Sequence, residues 1–188
     1  MAARVYVKYD DTDIDGLILC GSPSWNPSSR FARFVTGFLC LVGLDHMRMN
    51  RSQRVASNRY NKKFADEGYQ AWTCSDPEVR ESFEHDKDCN FILTANGSYN
   101  IMCLMGETYN DDKWFVSNPC LPIYFISGED DPTMLSEDEF HNSAQHICDK
   151  GYINVSSAIY PGMRHEILSE IGKEEVWSDI LTFMGIND

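Results

Sequence analysis

The chain has 188 residues, of which 43% are hydrophobic and 24% charged, a balance typical of one globular domain or of part of a larger one. Its net charge of −13 argues against binding to nucleic acid or to an anionic membrane surface, because phosphate recognition needs a basic face. The longest apolar run covers residues 34–44, which is too short for an integral membrane segment of about 20 residues.

The start of the chain and its cysteines indicate a cytoplasmic protein. Met1 leads into "AARVYVKYDD", which lacks the basic region and the apolar stretch of a secretory signal. The seven cysteines are odd in number and scattered, and no Cys-x-x-Cys occurs. This usage is typical of reduced thiols rather than of disulfides or a metal site.

Two elements are predicted before residue 26. In "MAARVYVKYDD" the apolar residues recur at i, i+3, i+4 and i+7, which predicts a helix. "DGLILCGSP" follows as a short, continuous apolar run that ends in Gly-Ser-Pro. Such a run is typical of a strand buried on both faces of a parallel sheet.

Residues 26–119 have a helical texture. Segments 29–44 and 55–72 are amphipathic, and turns are predicted at Gly68, at residues 75–77 and at Asn96-Gly97. Several aromatic residues of this region either pack inside it or form an apolar wall for an acyl chain. They are Phe31, Phe34, Phe38, Tyr69 and Trp72.

Strand character returns after residue 120. Residues 121–127 and the segment "INVSSAIYPG" predict strands, and between them a helix begins at Ser136, with Glu139 completing a capping box. "RHEILSE" and "EEVWSDILTFMG" predict two final helices. The alternation predicts an α/β fold with a parallel sheet and helices on its faces.

Two candidate site residues come directly after strands. Asp131 follows the first C-terminal strand and His165 follows the second, and ligands of parallel sheets bind at the carboxyl ends of the strands. A carboxylate that orients an imidazole gives an acid–base pair able to activate a hydroxyl. Asp130 is the alternative acid, since it adjoins Asp131.

Metal binding is a weaker interpretation of two motifs. In "HEILSE", His165 and Glu170 are five residues apart, which is the wrong spacing for a zinc helix. "DDTDIDG" resembles the opening of a calcium loop, but Ser22 stands where that loop needs Glu. We therefore predict no metal, and a solvated acidic turn at residues 10–16.

"LPIYFISGEDDP" followed by "YPGMRHEILSE" resembles the C-terminal half of the α/β-hydrolase fold. It is similar to the group that contains monoacylglycerol lipases, lysophospholipases and serine-aminopeptidase-like hydrolases. The resemblance implies that Asp131 is the acid and His165 the base of a Ser-His-Asp triad that cleaves a small-molecule, lipid-like ester without a cofactor. It also implies a division into core helix and strand (1–25), helical cap (26–119) and C-terminal α/β core (120–188).

The family's nucleophile motif, Gly-x-Ser-x-Gly, occurs nowhere in the chain. The resemblance places the serine a few residues before Met1, so we expect the chain alone to be inactive. The strand in "DGLILCGSP", residues 15–23, would then lie bare at a sheet edge, which predicts self-association through it. The alternative function is a non-catalytic remnant or binding module of the same fold.

Overall fold

A computed structural model describes residues 1–89 and 91–186. Its sheet has three parallel strands in the order β1-β2-β3: β1 (Leu17–Cys20), β2 (Ile123–Gly128) and β3 (Val155–Tyr160). Every residue of the central strand β2 is buried, as expected for a continuous apolar run covered on both faces. The predicted α/β fold class with a parallel sheet is confirmed.

The two faces of the sheet are covered by different helices. Helices α1 (Ala2–Tyr9) and α6 (Glu137–Cys148) pack on the face that carries Phe125, and α7 (Lys173–Phe183) packs on the face that carries Ile126. Successive strand residues point to opposite faces, so one apolar run supplies both cores. The predicted cap of α6 is present, since Ser136 Oγ accepts a hydrogen bond from the Glu139 amide.

The chain between β1 and β2 is helical, as predicted. Its helices are α2 (Ser28–Leu41), α3 (Asn50–Tyr60), a 3-10 helix (Asn61–Glu67), α4 (Pro77–His85) and α5 (Ala95–Thr108). The turn predicted at Asn96-Gly97 is wrong: Thr94 caps α5 by accepting a bond from the Gly97 amide, and the pair forms the first helical turn. In the part of the chain that the structure describes, no helix is long and apolar enough to cross a membrane.

Two further expectations are corrected. "RHEILSE" is a series of turns and not a helix, because Arg164 N donates to Glu170 Oε1 and Glu166 N donates to Thr73 O. The acidic turn is not fully solvated, since Asp11 is buried. Its carboxylate accepts hydrogen bonds from the amides of residues 117 and 118 and from Tyr152 Oη, which ties the turn to the chain before β2.

The aromatic residues of the helical region separate into two groups. Trp72 packs between Tyr60 and His165. Phe31, Phe34 and Phe38 of α2, and also Tyr69, are exposed in the described chain, so interior packing does not describe them. The periodicity of α2 places its three phenylalanines on one face but does not say which face turns toward the protein.

Candidate active site

Asp131 lies in a turn at the carboxyl end of β2. Its amide donates to Gly128 O at 3.1 Å, and its Oδ1 accepts a bond from the Thr133 amide at 2.8 Å. Ser127 Oγ donates to Oδ2 at 3.2 Å. Asp131 is buried, and these bonds fix the direction in which its carboxylate points.

His165 lies in the loop after β3, and this loop crosses the end of β2 in backbone contact. A Cβ atom at Gly128 would overlap the carbonyl oxygens of Met163 and Arg164, so the crossing requires glycine. Asp130 N also donates to Met163 O at 2.9 Å. Main-chain contact therefore sets the distance between the two loops.

This crossing brings the two candidate residues together. His165 Nδ1 lies 2.9 Å from Asp131 Oδ2, the Asp131 side chain is fully buried, and the imidazole keeps 28% of its surface exposed. When Nδ1 donates its proton to this carboxylate, Nε2 of the neutral ring is the basic nitrogen. Gly21, in the left-handed region with φ +55°, lets the chain after β1 lie against the ring.

Two opposing effects act on His165. Burial lowers the pKa of the imidazole, but the hydrogen bond to Asp131, the charge of Asp131 and that of Glu166 together raise the pKa above its usual value. The buried carboxylate thus favours the protonated ring, as an acid–base pair requires. Asp130 points elsewhere and pairs with Lys63 Nζ, so only Asp131 of the two candidate acids reaches the imidazole.

A row of aromatic rings borders the exposed side of the imidazole. The ring centroids of Trp72 and His165 are 5.2 Å apart, and those of Tyr60 and Trp72 are 5.1 Å apart. Tyr60 and Pro132, the residue after Asp131, line a cleft of about 600 Å³ whose walls also include Val55 and Leu135. Neither this cleft nor a larger one of about 1080 Å³ between α2, α5 and α6 is lined by Asp131 or His165.

Arg164 fastens the histidine loop to the helical region. Its Nη2 donates to both carboxylate oxygens of Glu67, at 2.7 and 2.8 Å, and its guanidinium lies 3.8 Å from the centre of the Phe64 ring. Nη1 donates to the carbonyls of Ala71 and Cys74. The residue directly before His165 is therefore held by the segment that carries Trp72.

Glu170 makes the second connection between the same two segments. The buried carboxylate accepts hydrogen bonds from Ser75 N at 2.8 Å, from Arg164 N at 2.9 Å and from Ser75 Oγ. Neither connection is predictable from the sequence, although Arg164 stands within the motif that contains His165. Pattern alone does not tell an anchoring arginine from a solvated one.

Among residues 1–89 and 91–186 there is no group of three or more His, Cys, Asp or Glu side chains arranged to hold a metal ion. The carboxylate of Glu170 already accepts hydrogen bonds from the amides of Ser75 and Arg164.

Solved structures with the same fold come from esterases and lipases. A carboxyl esterase from Bacillus coagulans, in complex with glycerol, is 24% identical with a TM-score of 0.84 over 97% of this chain and 60% of its own. A soluble variant of monoglyceride lipase from Saccharomyces cerevisiae, in complex with a substrate analog, is 16% identical with a TM-score of 0.68, and the match covers 97% of this chain and 57% of that one. The monoacylglycerol lipase of Paleococcus ferrophilus is 12% identical with a TM-score of 0.69, and the match covers 98% of this chain and 64% of that one.

The chain thus spans about 60% of the length of these relatives. No curated protein matches it significantly. The sequence profile of the family described as "Serine aminopeptidase, S33" matches residues 1–172. With that match over most of its length and with the sheet described above, the chain belongs to the serine aminopeptidase family of α/β-hydrolases.

Proposed function

We propose that Asp131 and His165 are the acid and base of a Ser-His-Asp triad that cleaves carboxylic esters. The observation that carries the proposal is the 2.9 Å bond between His165 Nδ1 and the buried Asp131 carboxylate, with the imidazole left partly exposed. A structural histidine needs a partner but has no need of an open side. A cleft begins at Pro132, the residue after Asp131, close to the carboxyl end of β2.

In the proposed reaction, His165 Nε2 takes the proton of a serine hydroxyl while that hydroxyl attacks the ester carbonyl. Asp131 stabilises the imidazolium that forms, and the imidazolium then protonates the departing alcohol. Water hydrolyses the acyl-enzyme by the same route in reverse. The serine comes from outside residues 1–188, since Gly-x-Ser-x-Gly is absent from them, and no step needs a cofactor.

The proposed substrates are lipid-like esters of the lysophospholipid or monoacylglycerol type. The cleft beside Pro132 combines the apolar side chains of Val55 and Leu135 with the cations Arg51 and Arg59, and its apolar part suits an acyl chain. Similarity to a carboxyl esterase and to monoacylglycerol lipases supports the same class. The seven cysteines are free thiols, which supports a cytoplasmic location.

The test begins with the codons upstream of Met1, translated in frame. If they encode Gly-x-Ser-x-Gly, we expect the extended protein to react with a fluorophosphonate probe. His165→Ala and Asp131→Asn should each abolish turnover of a chromogenic ester. Asp130→Asn is the matched control and should keep activity, because Asp130 pairs with Lys63 instead.

Two results would contradict the proposal. The first is burst kinetics from the pure 188-residue chain, which would require a nucleophile within it. The second is an extended protein that carries the serine, folds, and still fails to label. An in-frame stop codon before Met1 would instead favour the non-catalytic binding module.

A further inference from the structure

His146 lies in a cluster of charged and aromatic side chains outside the candidate active site. The imidazole keeps 20% of its surface exposed and packs between the rings of Tyr109 and Trp114, whose centroids are each 5.6 Å from its own. Its Nε2 lies 2.9 Å from Asp111 Oδ1, and its Nδ1 lies 3.3 Å from Arg4 Nη2. His146 therefore joins α6 to α1 and to the chain between α5 and β2.

The contact with Arg4 determines which nitrogen of His146 carries the proton. A guanidinium stays protonated and has only N–H donors, so Nδ1 of His146 must accept the hydrogen bond and cannot itself carry a proton. The proton of the neutral ring is then on Nε2, which donates to Asp111 Oδ1. A protonated ring would instead turn a second N–H group toward the N–H groups of Arg4. Only neutral His146 satisfies this geometry, and neither of its nitrogens is free to act as a base.

Arg4 is a buried cation without a carboxylate partner. Its Nη1 donates to Tyr109 Oη at 3.0 Å, and its Nε has no hydrogen-bond partner among the residues that the structure describes. No carboxylate of those residues forms an ion pair with it. Because Arg4 is 0% exposed, no accessible surface remains where another segment could supply one. Burial lowers the pKa of this guanidinium, which nonetheless stays charged near neutral pH.

Protonation of His146 would add a positive charge to a cluster that already holds two cations and one carboxylate. Lys150 Nζ pairs with Asp111 Oδ1, the same oxygen that accepts from His146. The side chain of Asp111 is 68% exposed, so water screens its attraction for an imidazolium, whereas repulsion by Arg4 acts through the protein interior. Burial, and then the charges of Arg4 and Lys150, lower the pKa of His146 and outweigh the hydrogen bond to Asp111. The folded protein therefore favours the neutral ring.

One side chain thus connects three elements, and the connection requires that this side chain be uncharged. We propose that His146 is a pH-sensitive latch: the neutral ring holds α1, α6 and residues 109–114 together, and protonation of the ring releases residues 109–114. That segment depends on the imidazole for the packing of Tyr109 and Trp114 and for a hydrogen bond to Asp111. Tyr109, Asp111 and His146 also line the cleft of about 1080 Å³, so acidification should open one wall of this cleft. The proposal does not depend on the proposed function, because it concerns the fold of the 188-residue chain.

The carboxylates around this latch stay ionised while His146 titrates. Hydrogen bonds from Lys150 and then from His146 lower the pKa of Asp111, and a hydrogen bond from Lys8 lowers the pKa of Glu107 on α5. Because the pKa of His146 is lowered in the folded protein, its contribution to stability is full above about 6.5, the pKa of a histidine in the unfolded chain. That contribution falls as the pH drops from this value through the lowered pKa. The latch therefore opens on the acidic side of about pH 6.5.

The first test is an NMR titration of the 188-residue protein labelled with nitrogen-15 at histidine. We expect His146 to carry its proton on Nε2 and to have a pKa below about 6.5, whereas the pKa of His165 is raised. Lys150→Gln and Arg4→Gln should each raise the pKa of His146, since each removes a charge that lowers it. Lys150→Gln keeps the test available where loss of the buried Arg4 prevents folding.

The second test is hydrogen exchange with mass spectrometry at about pH 7.5 and about pH 5.5, on either side of the ordinary histidine pKa. After correction for the intrinsic exchange rate, protection of residues 109–114 should fall severalfold, and by no more than about tenfold for this step in pH. His146→Gln should abolish the fall, because glutamine does not titrate and its amide can both accept and donate. The matched control is His141→Gln on the same helix, which should keep the fall, since His141 is 54% exposed and pairs only with Glu137.

Several results would overturn the proposal. A pKa of His146 at or above about 6.5, or a proton on its Nδ1, would contradict the contact with Arg4. Unchanged protection of residues 109–114 in the unsubstituted protein would show that they are not released. The same loss of protection in His146→Gln would assign the effect to another group. Loss of protection in β2 at the same pH would show that the whole fold opens rather than this segment.

Discussion

Replacing Glu170 by alanine should destabilise the fold by several kcal/mol. The carboxylate is buried and accepts the backbone amides of Ser75 and Arg164. Alanine leaves both amides without their acceptor, and a buried, unsatisfied donor costs about 1–3 kcal/mol. The expected loss is therefore about 4 kcal/mol, a large part of the roughly 5–15 kcal/mol that stabilises a typical domain.

The assay is urea unfolding followed by tryptophan fluorescence, with the free energy extrapolated to water. Glu170→Gln should cost less than alanine, because one amide oxygen can still accept from Ser75 N and Arg164 N. Glu174→Ala, at an exposed position, is the matched control and should change stability by no more than about 0.5 kcal/mol. A loss below about 1 kcal/mol for Glu170→Ala, at an unchanged denaturant slope, would refute the role assigned to this carboxylate.

Three further predictions concern titration, thiol reactivity and assembly. The pKa of His165 is raised in the folded protein. Its contribution to stability should therefore be full at a pH below about 6.5, the pKa of a histidine in the unfolded chain. That contribution should be lost as the pH rises through the higher pKa of the folded state. Asp131→Asn removes two raising effects, so burial should pull the pKa of His165 down in an NMR titration; an unchanged pKa would contradict the pairing. Burial raises the pKa of the Cys74 thiol to about 11. Iodoacetamide near neutral pH should therefore modify the exposed Cys120 before Cys74. Equal rates of modification, followed by mass spectrometry, would argue against the burial of Cys74. The edge strand β1 still predicts self-association, which light scattering would disprove by giving a monomer mass at every protein concentration.

The fold was accessible from the sequence wherever local pattern and tertiary environment agree. Residues 121–127 form a buried central strand because an uninterrupted apolar run suits a sheet covered on both faces. The cap at Ser136 depends only on residues three positions apart, so it too could be predicted. Asp131 and His165 could be paired because both follow parallel strands whose carboxyl ends meet at one edge.

The wrong predictions fall where contacts between distant residues override the local sequence pattern. Residues 164–170 have helical composition, but their amides bond to Thr73 and to Glu170. The connection from Arg164 to Glu67 spans 97 positions, and no spacing rule reports such a pair. The outward face of α2 was missed because periodicity groups residues by face without saying which face is inside.

The glycine at position 128 has a consequence for how such a protein can change over time. Main-chain atoms at the crossing of two loops set the spacing of Asp131 and His165, and among the described residues those contacts join the loop after β2 to the loop after β3 rather than to α2 or α3. If Asp131 and His165 act as proposed, substitutions in α2 and α3 can alter which molecules reach the imidazole without moving the main chain that sets this spacing. Under the proposed function, selectivity could change while the Asp131–His165 pair is kept, and Gly128, where a Cβ atom would overlap two carbonyl oxygens, carries no functional group itself.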